Sequence, residues 1–195
     1  MKRIEPVKEP LRGDITVPGD KSIAHRAVIL ASIAQGRSRI FNLSDGDDNS
    51  RTVKAFRQMG VEIFRDGDAL CVEGKGWEGI RASKEAIDCG NSGTTMRLLS
   101  GLLAGRPFRS ELDGDSSLRQ RPMQRVIDPL SLMGAKINSK GGAGLAPLEI
   151  EGGCLHGINY RTPIASAQVK SAILLAALQA QGTTTLEEPL KSRDH

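Results

Sequence analysis

The sequence predicts an α/β fold assembled from repeated β-α-β-α-β-β units, and two observations carry that expectation. The first is a pattern shared by 15-ITVPGDKSIAHRAVILASIAQGRSRIFNL-43, 87-IDCGNSGTTMRLLSGLLAGRPFRSEL-112 and 158-INYRTPIASAQVKSAILLAALQAQGTTTLEE-188. Each runs from a short β-like lead into a turn rich in Gly, Ser, Thr or Pro. An Ala/Leu/Ile helix follows, then a Gly stop and a β-branched or alternating strand. Their starts lie 72 and 71 residues apart. The second is a helix closed by Met-Gly and a strand, ending in 59-MGVEI-63 and again, 74 residues later, in 133-MGAKI-137. A turn and a further strand follow each, 69-ALCVEG-74 and 147-PLEIEG-152. Order and spacing both recur, which separates a true repeat from the Gly that follows helices in any α/β protein. The units so drawn are 15–84, 85–155 and 156–195, and the third reads as incomplete, stopping where its second helix begins.

The first unit opens with 17-VPGDKSIAHR-26. A Walker loop needs G-x-x-x-x-G-K-[ST]; here Asp20 precedes Lys21 and Ile15 stands where the first Gly belongs, so a nucleotide P-loop is excluded. Pro18-Gly19 turns the chain, Asp20 or Ser22 can cap the helix, and the first-turn amides then face an oxyanion. Lys21 adds a compact charge, and Arg26 lies one turn beyond Ser22 on the same face. The same residues also read as a capped helix with solvated cations. The acidic run 45-DGDDN-49 lacks the distal Glu of a calcium loop, since residue 56 is Phe, and is expected to lead into a helix. His25 is expected to pack beside the first helix.

The second unit opens with 90-GNSGTTMR-97, where Asn91, Gly93 and Thr94 can bring donors close to a ligand and Arg97 sits one turn in. Its second helix opens with 119-RQRPMQR-125; Pro122 suits a first helical turn and places Arg121 at the helix entrance. Arg119, Arg121 and Arg125 read equally as a solvated basic face. The third unit offers 165-ASAQVKS-171, with Ser166 and Gln168 as hydrogen-bonding groups and Lys170 nearby, or an ordinary N-cap. Three such entrances in equivalent places point to one surface on which helix N-termini converge on a ligand with more than one anionic group.

Bulk properties limit the alternatives. The 27 Lys and Arg against 23 Asp and Glu give +4 over 195 residues, with no basic run and 3% aromatic residues, which argues against nucleic acid. Cys71, Cys89 and Cys154 form no C-x-x-C pair and read as reduced, packed thiols. His25, His156 and His195 show no ligand spacing, so no metal or other cofactor is expected. The longest apolar run, 172-AILLAAL-178, is too short to span a bilayer, and the N-terminus has no signal-peptide core. A soluble cytoplasmic protein without membrane or nucleic-acid partners is expected.

PGDKSIAHRA, GNSGTTMR, GDSSLRQRPM and ASAQVKSA, in this order, resemble the N-terminal part of the 5-enolpyruvylshikimate-3-phosphate synthase family, 3-phosphoshikimate 1-carboxyvinyltransferases. The resemblance extends across the chain to 190-LKSRDH-195. It implies one lobe of a two-lobed enolpyruvyl transferase fold, each lobe built of three β-α-β-α-β-β units. Residues 1–14 then belong to the other lobe and 15–195 to the substrate-binding lobe. It also implies transfer of the enolpyruvyl group of phosphoenolpyruvate to the 5-hydroxyl of shikimate 3-phosphate, releasing phosphate, in a monomer.

By the same resemblance, Lys21 contacts both substrates and carries the catalytic role. Ser22, Arg26, Ser166, Ala167 (by backbone alone), Gln168 and Arg193 hold shikimate 3-phosphate. Asn91, Gly93, Thr94, Arg121 and Gln168 hold phosphoenolpyruvate. Ala167 departs from the Ser of many members. Gly93 stands where glyphosate-tolerant members carry Ala, which implies a glyphosate-sensitive enzyme. The family's proton-transfer carboxylates and further cations lie in the C-terminal half, which implies that these residues alone do not turn over. Two other readings stand beside this one. The sister transferase acting on UDP-N-acetylglucosamine has Lys-Asn in its opening motif and a reactive loop Cys, which neither Cys89 nor Cys154 resembles. A non-catalytic phosphate-binding module would use the same anion sites.

Overall fold

The computed structural model describes residues 9–10, 12–44 and 46–190. Helix α1 (Lys21–Ile33) starts where Asp20 Oδ1 accepts the Ile23 amide at 2.8 Å, and it buries Ala24, Val28, Ile29 and Ala31. Strand β1 (Gln35–Ile40) follows at once. Helix α2 (Asp47–Gln58) has Asp47 and Asp48 in its first turn and Arg57 in its last, both signs matched to the helix dipole. The hairpin β2 (Glu62–Asp66) and β3 (Ala69–Lys75) then completes a three-stranded antiparallel sheet in the order β1-β3-β2.

The second unit repeats that plan. Strand β4 (Ile87–Asp88), helix α3 (Gly93–Ala104), strand β5 (Arg109–Asp113), helix α4 (Gln124–Leu132) and strands β6 (Lys136–Ser139) and β7 (Leu148–Glu151) form a sheet ordered β4-β5-β7-β6. Its β5-β7-β6 portion has the order of the first sheet. The Met-Gly signal has a local cause. Gly60 (φ 89°) and Gly134 (φ 101°) take the left-handed conformation after Met59 and Met133. The Val61 amide then donates to Phe56 O and the Ala135 amide to Leu130 O, both at 3.0 Å, which is the Schellman closure in each copy.

Two lead strands differ from expectation. Residues 15–17 form no strand; Ile15 and Val17 are exposed, and Gly19 passes so close to the Asn42 carbonyl that a Cβ there would lie 2.0 Å from its oxygen. Alternating Ile-Thr-Val satisfies the strand pattern locally, but no neighbour among the described residues completes a ladder. In the third unit the lead is split into β8 (Leu155–His156) and β9 (Asn159–Arg161), paired in parallel with β10 (Ala180–Gln181) and β11 (Thr185–Glu187) across helix α5 (Ala167–Ala177). The register moves by one residue between the two pairs, at Gly157 and Gly182–Thr184, as a bulge requires.

Helix α3 is the centre of the core: of its twelve residues only Thr94 is not buried. It packs most closely on α5, where a Cβ at Gly101 would lie 2.0 Å from the Ala172 carbonyl oxygen. Arg97 meets Gln168 and Gly101 meets Ala172, so the two helices run parallel and begin at the same end. Arg26 of α1 bonds Ser171 of α5, which brings the first turns of α1 alongside. The outer helices fill seams, α2 against α1 and α3, and α4 against α3 and α5.

Candidate functional site

The parallel inner helices α1, α3 and α5 carry their caps at one end of the unit. Ser92 caps α3, its hydroxyl accepting the Thr95 amide at 3.1 Å, and Ser166 caps α5, accepting the Val169 amide at 3.5 Å. Asp20 caps α1. Each entrance leaves first-turn amides pointing away from the core, which favours anions.

At the α1 entrance Lys21 Nζ lies 2.9 Å from Asp48 Oδ2 on α2, with more than half of its side chain exposed. Ser22 stands next in the helix, and the Arg26 guanidinium donates to the Ser22 carbonyl at 3.1 Å and to Ser171 Oγ at 2.8 Å. This confirms the shared face of Ser22 and Arg26 and adds Ser171, whose contact spans 145 residues and leaves no mark in local sequence.

The α3 entrance is the densest part. Arg121 donates to Asn91 Oδ1, and Asn91 Nδ2 donates to Asp115 at 2.9 Å. Gln168, one residue inside α5, accepts from Arg97 Nη1 at 2.6 Å and donates to Thr94 Oγ1 at 2.9 Å. Arg97 also donates to the Pro122 carbonyl at 3.2 Å. A Cβ on Gly93 would lie 2.7 Å from Arg97 Nη1 and 3.5 Å from Arg121 Nη1, so the absent side chain leaves the space in front of both guanidinium groups. Arg97 is buried, and that burial, followed by the neighbouring charges of Arg125 and Arg121, lowers its pKa from the usual guanidinium value. Asn91, Gly93, Thr94, Arg121 and Gln168 therefore form one cluster, with Arg97 at its centre.

Several expectations are corrected. Pro122 lies just outside α4, which begins at Gln124; Arg121 instead closes a 3-10 turn over Leu118–Gln120. Arg119, more than half exposed, is paired with Asp113, and Lys170 is paired with Glu188 at 2.8 Å. His25 lies within α1 rather than beside it. Cys71 and Cys89 are buried, but Cys154 is exposed in the link after β7, where no element covers it. Arg193 lies outside the described residues. A concavity of about 650 Å³ lies between α1 and α5, lined by apolar side chains such as Ile29, Leu30, Leu174 and Leu178. It touches the polar cluster at Arg26 and Ser171, and its wall is otherwise mostly apolar. Among the described residues no helix is long and apolar enough to cross a membrane, and no group of three His, Cys, Asp or Glu is placed to hold a metal.

Residues 6–195 match the pattern of the EPSP synthase family, described as EPSP synthase (3-phosphoshikimate 1-carboxyvinyltransferase). The chain belongs to the EPSP synthase family. It is 53% identical over 185 residues to the 3-phosphoshikimate 1-carboxyvinyltransferase of Pelobacter propionicus, covering 95% of this chain and 43% of that protein. The Coxiella burnetii protein of the same name is 56% identical over 188 residues, with 42% of its length covered. The solved EPSP synthase of Acinetobacter baumannii superposes with a TM-score of 0.90 at 47% identity, covering 93% of this chain and 41% of that one. The chain thus spans less than half the length of these EPSP synthase relatives, and its fold agrees with a truncated lobe of the family's α/β architecture.

Proposed function

We propose that this chain carries the shikimate 3-phosphate site and part of the phosphoenolpyruvate site of an enzyme that transfers the enolpyruvyl group from phosphoenolpyruvate to the 5-hydroxyl of shikimate 3-phosphate. In that reaction the hydroxyl oxygen bonds to C2 of phosphoenolpyruvate, the bond from C2 to the phosphate oxygen breaks, and phosphate leaves with the hydroxyl proton. Lys21 faces both substrates. Ser22, Arg26, Ser166, the Ala167 backbone and Gln168 receive shikimate 3-phosphate. Asn91, Gly93, Thr94, Arg121 and Gln168 receive phosphoenolpyruvate. The same reading assigns residues 15–195 to this lobe, residues 1–14 to the other, and Arg193 to the shikimate phosphate.

The observation that carries this reading is the joining of three helix entrances by Arg26–Ser171, Arg97–Gln168 and Gln168–Thr94. Two substrates with phosphate and carboxylate groups need several cationic and amide donors at once, and single capped helices do not supply them. The reading gives Lys21 the catalytic role and the other residues binding, and it finds no proton-transfer carboxylate among them. The carboxylates beside the entrances are engaged: Asp20 caps α1, Asp48 meets Lys21, Asp88 meets Arg51, and Asp115 accepts from Asn91 and the Leu118 amide. Those hydrogen bonds, the Leu118 amide first, hold Asp115 below the ordinary carboxylate pKa and make it a poor base.

Calorimetric titration of the folded chain tests the proposal. Shikimate 3-phosphate is expected to bind and UDP-N-acetylglucosamine is not. Arg26→Ala removes charge-assisted bonds and is expected to weaken binding by roughly 10- to 100-fold. Equal binding of the two ligands, or full affinity in Arg26→Ala, overturns the assignment.

A further inference from the structure

Behind the polar entrances lies a row of polar side chains that no ligand reaches. His25 on α1, Thr52 on α2, and Ser92 and Thr95 at the start of α3 are each 0% exposed. His25 Nδ1 is 2.7 Å from Thr52 Oγ1, Thr52 Oγ1 is 2.8 Å from Thr95 Oγ1, and Thr95 Oγ1 is 2.8 Å from Ser92 Oγ. Apolar side chains of similar size would hold three helices together without exposing the fold to the cost of an unmade buried hydrogen bond, about 1–3 kcal/mol for each group. Packing alone therefore does not account for this row.

The donors run in one direction. His25 Nε2 is buried with no partner among the described residues, so the tautomer that avoids a stranded N–H carries its proton on Nδ1. His25 then donates to Thr52, Thr52 to Thr95, and Thr95 to Ser92. Burial supports the neutral ring, pushing the His25 pKa down from 6.5 to about 4. The far end of the row reaches both entrances. Ser92 caps α3 and precedes Gly93 and Thr94. The single Thr95 hydroxyl proton is shared between Ser92 Oγ at 2.8 Å and, as the longer branch, the main-chain carbonyl of Asp48 at 3.3 Å, the residue whose carboxylate holds Lys21.

We propose that the buried row His25–Thr52–Thr95–Ser92 is a positioning element that fixes the α3 entrance against the Lys21–Asp48 pair. It rests on the proposed function only in the claim that those entrances bind the two substrates. None of the four touches the ligand face; they act through the cap of α3 and the first turn of α2. A row of hydroxyls is directional, so it sets the relative height and rotation of two helix ends, which interchangeable apolar contacts do not.

Thr52→Val keeps the shape of the side chain and removes the middle of the row, while Thr52→Ser restores the hydroxyl. Amide hydrogen exchange is measured on the folded chain, together with calorimetric titration of shikimate 3-phosphate in the presence of phosphoenolpyruvate. In Thr52→Val the Thr95 and Met96 amides are expected to exchange at least about tenfold faster, with α5 within about twofold of wild type. Affinity is expected to fall about tenfold, and Thr52→Ser is expected to recover both. Unchanged exchange at Thr95 and Met96 in Thr52→Val overturns the proposal, as does a Thr52→Ser protein as loose as Thr52→Val. If the wild type binds neither substrate yet Thr52→Val loosens α3 alone, the substrate reading falls and the positioning element stands. Should Thr52→Val not fold, Thr95→Val against Thr95→Ser is judged by the same two criteria.

Discussion

Gly93 shows how one missing side chain shapes the candidate site. An alanine methyl at this position would lie 2.7 Å from Arg97 Nη1, and Arg97 is held in turn by Gln168 and the Pro122 carbonyl. The methyl therefore narrows the space before the cations and displaces a guanidinium that orders its neighbour. The clash is with the end of a long side chain, so the fold should absorb it within about 1 kcal/mol. In the full-length enzyme, Gly93→Ala is expected to raise the inhibition constant of glyphosate by at least about tenfold with a nearly unchanged melting temperature. An unchanged inhibition constant in a folded variant would sink this assignment of Gly93. The cations and caps of the site were legible because Gly, Ser and Thr before an apolar helix announce an amide-rich entrance. The Arg97–Gln168 bond and the His25–Thr52–Thr95 row were not. Their partners lie 71, 27 and 43 residues apart, and helix packing alone brings them together.

At the scale of the element, helices α3 and α5 cross with their main chains in close approach. A Cβ at Gly101 would meet the Ala172 main chain, with its oxygen, carbonyl carbon and Cα at 2.0, 2.7 and 2.8 Å. Main chain cannot rotate away as a side chain does, so Gly101→Ala must move one helix bodily. That shift would strain the buried neighbours Leu98, Leu102, Ile173 and Ala176 together. A loss of about 2–3 kcal/mol, read as a lower urea midpoint, is expected; wild-type stability would mean that the two helices slide freely. It should also separate Gln168 from Arg97 and weaken ligand binding beyond the stability loss. The helix–strand order in the first two units was legible because Met-Gly marks a Schellman closure, which a residue and its immediate neighbours determine. The lead strands were less so. A strand needs a partner, and Ile-Thr-Val at 15–17 has none among the described residues, while 155–161 is split by a bulge.

For the whole molecule, the neutral His25 ties stability to pH. Its pKa in the fold is lowered from 6.5 to about 4, first by burial, with Asp48 opposing and Lys21 and Arg26 adding to the shift. The unfolded chain therefore takes up a proton at higher pH than the folded one. The stability His25 contributes is complete above about pH 6.5, declines as pH falls, and is exhausted near pH 4. Carboxylates give a different signature. Asp113 is held below its ordinary pKa by Arg119, and Glu151 by Lys136 and Arg109, so their contributions fade below about pH 4.5, as pH falls past the ordinary carboxylate values. The two effects thus occupy separate windows. Between pH 6.5 and 4.5 the wild-type chain is expected to lose about 2 kcal/mol of unfolding free energy. His25→Gln, which retains a donor for Thr52 but no titrating ring, should stay nearly level over the same range. Urea unfolding at intervals across that window decides the matter. Parallel decline of both proteins would mean that another group takes up the proton. A level variant beside a falling wild type would mean that acid first charges the junction of α1, α2 and α3, directly beneath the entrances that face the ligand.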